Sequence, residues 1–157
     1  MYILLIIITS VVVTLFFVQL YTIAQRLDRL NIRVDSSLQA LQAMLDQRAA
    51  VLAAIDPKYE TIASAAEAVA LKYDSFLERS EKERDISAAI AAMGHNMPPR
   101  IAEAQARVQL AHRFYNDAVA DTRALRRRPL VRIFRLGGTS VMPRFFEFTD
   151  YSHFSEN

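Results

Sequence analysis

The opening stretch MYILLIIITSVVVTLFFVQLYTI (residues 1–23) carries no charged side chain, and its reading decides how the rest of the chain is arranged. Ile3, Ile7, Val11, Phe16 and Phe17 typify it, and only Thr9, Ser10, Thr14, Gln19 and Thr22 interrupt it with polar groups. As one helix the stretch would extend roughly 34 Å, enough to cross the hydrocarbon core of a bilayer. A cleavable leader fits poorly. Nothing basic precedes the run, its apolar core is long, and Thr22-Ile23-Ala24-Gln25 lacks the small-x-small pattern of a cleavage site. Residues 1–25 are therefore expected to be a transmembrane anchor in a cell membrane, and residues 26–157 a helical domain ending in a tail (129–157). Arg26, Arg29 and Arg33 come after the run, with Asp28 and Asp35 among them. Positive side chains stay on the cytoplasmic side, so a single-pass topology is expected, amino terminus outside and carboxyl-terminal domain cytoplasmic.

Removing the anchor leaves about 130 residues, the size of one ordinary domain. The chain has only three glycines and is rich in Ala, Leu, Arg, Glu and Gln, a composition that favours helices. It contains no cysteine, which removes disulfides and thiolate chemistry.

No helix breaker separates the anchor from the residues after it. Leu27, Leu30, Val34, Leu38, Leu41, Met44, Leu45, Val51, Leu52 and Ile55 recur at spacings of three and four, the apolar stripe of a helix running on to about Ala54. Asp56-Pro57 then supplies a cap followed by proline at the first helical position. A second helix is expected from there, with Tyr59, Ile62, Ala66, Val69, Tyr73, Phe76 and Leu77 on one face and the polar run 78–85 in its middle. Gly94 and Pro98-Pro99 mark the next turn. The third helix carries Ile101, Ala104, Val108, Ala111, Tyr115, Ala118, Thr122 and Leu125 without a skip, a two-per-heptad seam, until Pro129 stops it. The expected fold is all-α: a transmembrane helix continuing into an antiparallel three-helix bundle, then a short helix and an irregular tail. In that register Arg26, Arg29 and Arg33 face the region around Asp85, Glu83 and Glu81, and the turn around residues 93–97 returns to the membrane end, either dipping into the interface or packing under the bundle without touching lipid.

Three further stretches carry a resemblance. Arg29-Leu30-Asn31-Ile32-Arg33-Val34-Asp35, continued through Leu45-Asp46-Gln47-Arg48-Ala49-Ala50-Val51-Leu52, resembles the post-membrane helix of the LemA family. Ala111-His112-Arg113-Phe114-Tyr115-Asn116-Asp117-Ala118-Val119 resembles its AR-x-x-YN-x-AV helix, and Leu136-Gly137-Gly138 through Pro143-Arg144-Phe145-Phe146-Glu147 its GF-x-x-x-P-YFE close. The chain departs from the family in lacking tryptophan and in having Ala54-Ile55-Asp56-Pro57 where the family opens its second helix with IPNLV. The resemblance implies an anchored helical bundle on the cytoplasmic side, with no established catalytic activity.

Sites for chemistry are weak. His95, His112 and His153 are scattered, and none has a glutamate three positions before it, Asp150 before His153 being the one acidic residue so placed, so the Glu-x-x-His and His-Glu-x-x-His metal patterns are missing. Asp117 and Asp121 stand four apart, but Arg113 and Arg123 lie within reach as ordinary surface pairs. No glycine pattern makes a phosphate loop. The chain is expected to be non-enzymatic, with no cofactor, no catalytic residue and no metal site.

Arg48 is the exception on the apolar stripe, in line with Leu27, Val34, Leu41 and Ile55. A charge there is either buried and paired, fixing register or gripping a partner, or set at the rim with its stem packed and its head wet. The rim placement is the expected one. Arg126-Arg127-Arg128, with Arg132 and Arg135, is the densest run of charge. Residues 100–128 carry seven basic against three acidic side chains and residues 58–85 five against seven, so part of the excess faces the second helix. Helix counting puts the end of the third helix far from the bilayer, which argues against lipid as the ligand of this cluster. No nucleic-acid motif accompanies it. The candidate interaction residues are Arg48, Tyr115, Asn116, Arg126, Arg127, Arg128, Phe145 and Phe146. Phe145, Phe146 and Phe148 are expected to dock near Ile55 and Leu125 or on a partner. The expected partners are the lipid bilayer, an unidentified protein and a second copy of the chain, with no nucleic acid. The alternative is an accessory or regulatory subunit of a membrane enzyme or transporter, acting through the anchor, where Ser10 and Thr14 offer a small polar face.

Overall fold

A computed structural model describes residues 1–138 and 140–147. Among them every regular element is helical: α1 (Tyr2–Ile55), α2 (Glu60–Glu67), α3 (Phe76–Ala91), α4 (Pro99–Arg126) and α5 (Pro129–Ile133). α1 is continuous through 54 residues and crosses the expected anchor boundary at 25 without a break. Three helical segments begin on proline, at Pro57, Pro99 and Pro129. Each proline forces the residue before it into extended backbone, so each marks a sharp change of direction.

The expected single second helix is two. α2 descends along α1, with Ala63 and Ala66 packed beside Ala49 and Leu52. The chain then leaves helical geometry over residues 68–75, and α3 climbs back toward the same end. No glycine or proline causes this break. Side chains hold it instead: Gln42 Oε1 accepts the Leu71 N–H at 3.3 Å, and Arg79 donates to the Val69 carbonyl at 2.7 Å. Ser75 donates to the Ala70 carbonyl at 2.5 Å and accepts the Lys72 N–H at 3.2 Å.

That extra reversal changes where everything after it lies. α4 descends antiparallel to α1 along its whole length, with Gln105 against Arg48, Asp121 against Arg33 and Arg126 against Asn31. The turn at 93–97 therefore sits at the end of the domain distal to the apolar run, where Met93 and Met97 pack with Leu52, Tyr59 and Ile101. The end of α4 sits beside Leu27 and Ile23, where the apolar run finishes. Both placements reverse the expected ones. The opposite-charge collar is absent too, since Arg33 pairs with Asp121 and Glu83 lies inside the domain.

The apolar seam of α4 is buried or half-buried at all eight expected positions. The stripe of α1 is likewise covered from Leu27 to Leu52, while Ile55 is exposed. Burying each Leu, Ile or Val contributes roughly 1.5–3 kcal/mol, so this α1–α4 seam is the largest source of cohesion.

Candidate functional site

Three constellations gather the sequence-derived candidates. The first is an ionic cluster in the distal half. Arg48 is 0 % exposed, so the rim placement expected for it is wrong. Its Nη2 donates to Glu83 Oε2 at 2.5 Å and its Nη1 to Gln105 Oε1 at 2.6 Å. Glu83 uses its second oxygen to accept Arg79 Nε at 2.7 Å, and Arg79 Nη2 reaches Asp46 Oδ1 at 2.7 Å. Glu83 and Arg79 are also fully buried, whereas the Asp46 side chain is 35 % exposed and forms the wet end. Two cations and two anions balance, which is the condition for keeping such charges out of water. α1 supplies Arg48 and Asp46, α3 supplies Arg79 and Glu83, and α4 supplies Gln105. The cluster ties the register of three helices. The missed signal was on α3, where Arg79, Glu83, Ile86 and Ile90 succeed one another at spacings of four, three and four. The apolar stripe of that helix passes directly into charged residues that read, one by one, as solvated.

The second constellation is a clamp on the tail in the proximal half. Phe146 is 1 % exposed and packs with Val34, Leu41, Leu71 and Tyr115. Asn116 holds its backbone from both sides, Oδ1 accepting the Phe146 N–H at 3.2 Å and Nδ2 donating to the Phe146 carbonyl at 3.1 Å. His112 Nε2 lies 2.6 Å from the same carbonyl, which as a pure acceptor requires a proton on that nitrogen. The Tyr115 hydroxyl donates to the Arg144 carbonyl at 2.5 Å. Burial pushes the Tyr115 phenol well above its ordinary value, so it stays a donor. Tyr73, raised by burial as well, stacks edge-on against Phe76, which meets Phe146 at 5.1 Å between ring centroids. Phe146 docks, then, midway along the domain and not near Ile55. Phe145 is 41 % exposed beneath the Arg123 guanidinium, and Phe148 lies outside the described residues. Tyr115, Asn116 and Phe146, three of the candidate interaction residues, meet one another.

The third is the basic cluster, which the structure divides. Arg126 is turned inward and ties the tail to α1, donating to the Ser140 carbonyl at 2.8 Å and to Asn31 Oδ1 at 3.3 Å. Arg127 and Arg128 are exposed. Of the acidic pair on α4, Asp117 takes Arg113 at 4.0 Å, as expected of a surface pair, and Asp121 takes Arg33 at 3.2 Å.

One surface feature was not read from the sequence. A groove of about 380 Å³ runs along the α1–α4 seam, floored by Ala40, Met44 and Ala111 and walled by Leu110 and Phe114. Arg33 and Arg107 flank it. Leu110 and Phe114 stand four apart on α4, 55 % and 53 % exposed, a second apolar stripe beside the buried seam. Along the apolar run of α1, Ile3, Ile7, Val11, Phe16 and Phe17 are all exposed, and this helix is long and apolar enough to span a membrane. Thr14 donates its hydroxyl proton to the Ser10 carbonyl of its own helix at 2.8 Å. No group of three His, Cys, Asp or Glu side chains among the described residues is arranged to hold a metal ion.

The fold and these contacts define a helical protein whose long first helix opens with an apolar, exposed run and whose tail is clamped internally. No protein-family model, no curated protein and no solved structure matches the chain.

Proposed function

We propose that the chain is a single-pass membrane protein of LemA type, a non-enzymatic interaction module whose antiparallel helical bundle presents the α1–α4 groove to a protein partner. The observation that carries this reading is the groove itself. Leu110 and Phe114 remain exposed on a helix whose other large apolar side chains are buried, and exposed apolar surface rimmed by charge marks interaction sites. The LemA assignment rests on the three resembling stretches, two of which meet here as the Tyr115–Asn116 clamp on the Arg144–Phe146 tail. A cytoplasmic domain is favoured by arginine at the membrane end: Arg127, Arg128, Arg132 and Arg135 join Arg26 and Arg29 there, against Asp28. The accessory-subunit alternative has less support, because Thr14 already satisfies its donor within its own helix.

Site-specific photocrosslinkers at Leu110 and Phe114, and at Ser10 for comparison, test the reading in native membranes. Adducts to one protein from the two groove positions support it, and a crosslinked dimer would identify that partner as a second copy. Adducts from Ser10 alone favour the accessory-subunit reading, and none from any position overturns the interaction module. A cysteine replacing Glu60 should resist a membrane-impermeant thiol reagent in intact cells and react after lysis.

A further inference from the structure

The exposed segment after α4 is the most unusual surface outside the groove. Leu27, Leu125 and Val131 form a small core with Ile23, Leu30 and Leu136, which fastens α5 to α1 where the apolar run ends. From there the chain runs back alongside the anchor, and the Phe134 ring meets the Phe16 ring edge-on at 5.5 Å. Phe16 is seven residues inside the end of the apolar run at Ile23, about 10 Å along the helix axis. Any placement of α1 across a bilayer consequently carries Phe134 into the membrane boundary. Its neighbours suit that environment: Ile133 is 72 % exposed, Phe134 44 % and Leu130 40 %. The charged residues among them are all basic. Arg127, Arg128, Arg132 and Arg135 are exposed, and no acidic residue occurs between Asp121 and Glu147.

Arg135 adds a backbone observation. The Leu136 N–H bonds to the Val131 carbonyl at 3.1 Å and the Arg135 N–H to the Arg132 carbonyl at 3.3 Å, the pair of contacts that closes a helix with a left-handed residue. That residue is Arg135, at φ 48°, in a conformation glycine adopts without penalty. A cation stands where the local fold would favour glycine.

We propose that residues 127–135 form an interfacial foot that inserts Leu130, Ile133 and Phe134 beside the anchor and binds the phosphates of anionic lipids through Arg127, Arg128, Arg132 and Arg135. Long arginine stems let the guanidinium groups reach the headgroups while the apolar side chains lie deeper. Clustered arginine beside a membrane attracts anionic lipid, and the four cations converge on one short segment. The foot rests on the reading of α1 as a membrane span.

The test uses the full-length protein in bilayer nanodiscs. The chain has no native cysteine, so an environment-sensitive fluorophore on Ile133→Cys reports one site. Its emission should be quenched by brominated acyl chains and shielded from iodide, unlike the same label on Glu60→Cys. Nitroxide-labelled phosphatidylglycerol should quench it at least about fivefold more than nitroxide-labelled phosphatidylcholine at equal content. Replacing Arg127, Arg128, Arg132 and Arg135 with glutamine should bring that ratio to about one. Arg135→Gly separates lipid binding from folding: it should raise thermal stability while lowering the ratio. Alkaline carbonate extraction of native membranes isolates the premise. A chain released by carbonate overturns the membrane span and the foot with it. If the retained chain has iodide access at Ile133 equal to that at Glu60, or shows no anionic preference, the foot alone is overturned. Protection of the arginines from trypsin by an acidic polypeptide or RNA, but not by anionic bilayers, also overturns it.

Discussion

The distal and proximal halves of the helical domain share the same two long helices but close their third side differently. In the distal half α2 and α3 cover the α1–α4 seam with apolar packing that encloses an ionic cluster: Arg48, Glu83, Arg79 and Asp46 form a charge-balanced chain within the fold. In the proximal half an extended tail covers the seam, and aromatic packing with backbone hydrogen bonds holds it: Phe146 against Phe76, with Asn116 on both of its main-chain groups. Losing one partner from the distal cluster leaves a charge stranded in apolar surroundings. Losing one from the proximal clamp lets the tail detach into water. The distal half should thus fail globally and the proximal half locally.

Glu83→Ala is the largest test of that difference. It leaves the Arg48 and Arg79 guanidinium groups buried without their shared carboxylate, and should destabilise the fold by about 3–5 kcal/mol. Urea unfolding of the detergent-solubilised protein, followed by helical circular dichroism, measures it. A loss under about 1 kcal/mol would mean that water reaches the cluster and that the halves do not differ in this way.

Phe146→Ala comes next. A buried phenylalanine in a core costs about 3–5 kcal/mol to truncate, but a tail can undock instead of leaving a cavity. The loss should then approach only the transfer value, about 1.5–3 kcal/mol. Limited proteolysis should show cleavage near Arg144 while the α1–α4 helices stay intact. Cooperative unfolding of the whole chain would erase the distinction between global and local failure. Tyr115→Phe keeps the ring and removes only the hydrogen bond to the Arg144 carbonyl, so about 0.5–1.5 kcal/mol is expected.

Legibility in the sequence divides along the same line. The seam residues of α1 and α4 were legible because apolar side chains at helical spacing have few other places to go. The break between α2 and α3 was not, because Gln42 and Arg79 hold it through contacts distant in sequence. A local hint existed in Ser75-Phe76-Leu77-Glu78, the Ser-x-x-Glu spacing of a helix start, although Ser75 uses its hydroxyl on the Ala70 carbonyl. Missing that one reversal inverted the heights of the 93–97 turn and of the basic cluster. Arg48 stood out on its stripe but was expected at the rim, since its partner Glu83 sits in a run that looks solvated. The clamp residues were recognised through family-like motifs, and no periodicity could indicate that the two motifs bind each other.

The smallest expected effect is a pH response confined to the distal tip. Asp56 ends α1 and accepts the Lys58 N–H at 3.0 Å, while the Lys58 ammonium lies 2.9 Å from its other oxygen. Hydrogen bonding from the Lys58 side chain, then from its backbone, holds the Asp56 carboxyl below the ordinary aspartate range. A carboxyl depressed on folding contributes stability above its unfolded value, near pH 3.9, and loses it as pH falls through the folded value. Acidification across that window should therefore loosen the turn at 56–59 and leave the proximal clamp unchanged. Hydrogen exchange at the Tyr59 amide, which bonds to the Asp56 carbonyl, reports the tip, and the Phe146 amide reports the clamp. Asp56→Asn retains a capping side chain without the titrating charge, so its Tyr59 protection should be flatter with pH than that of the wild type. Equal loss of protection at Tyr59 and Phe146 in both proteins would trace the acid response to the shared α1–α4 seam and make the tip no more pH-sensitive than the tail.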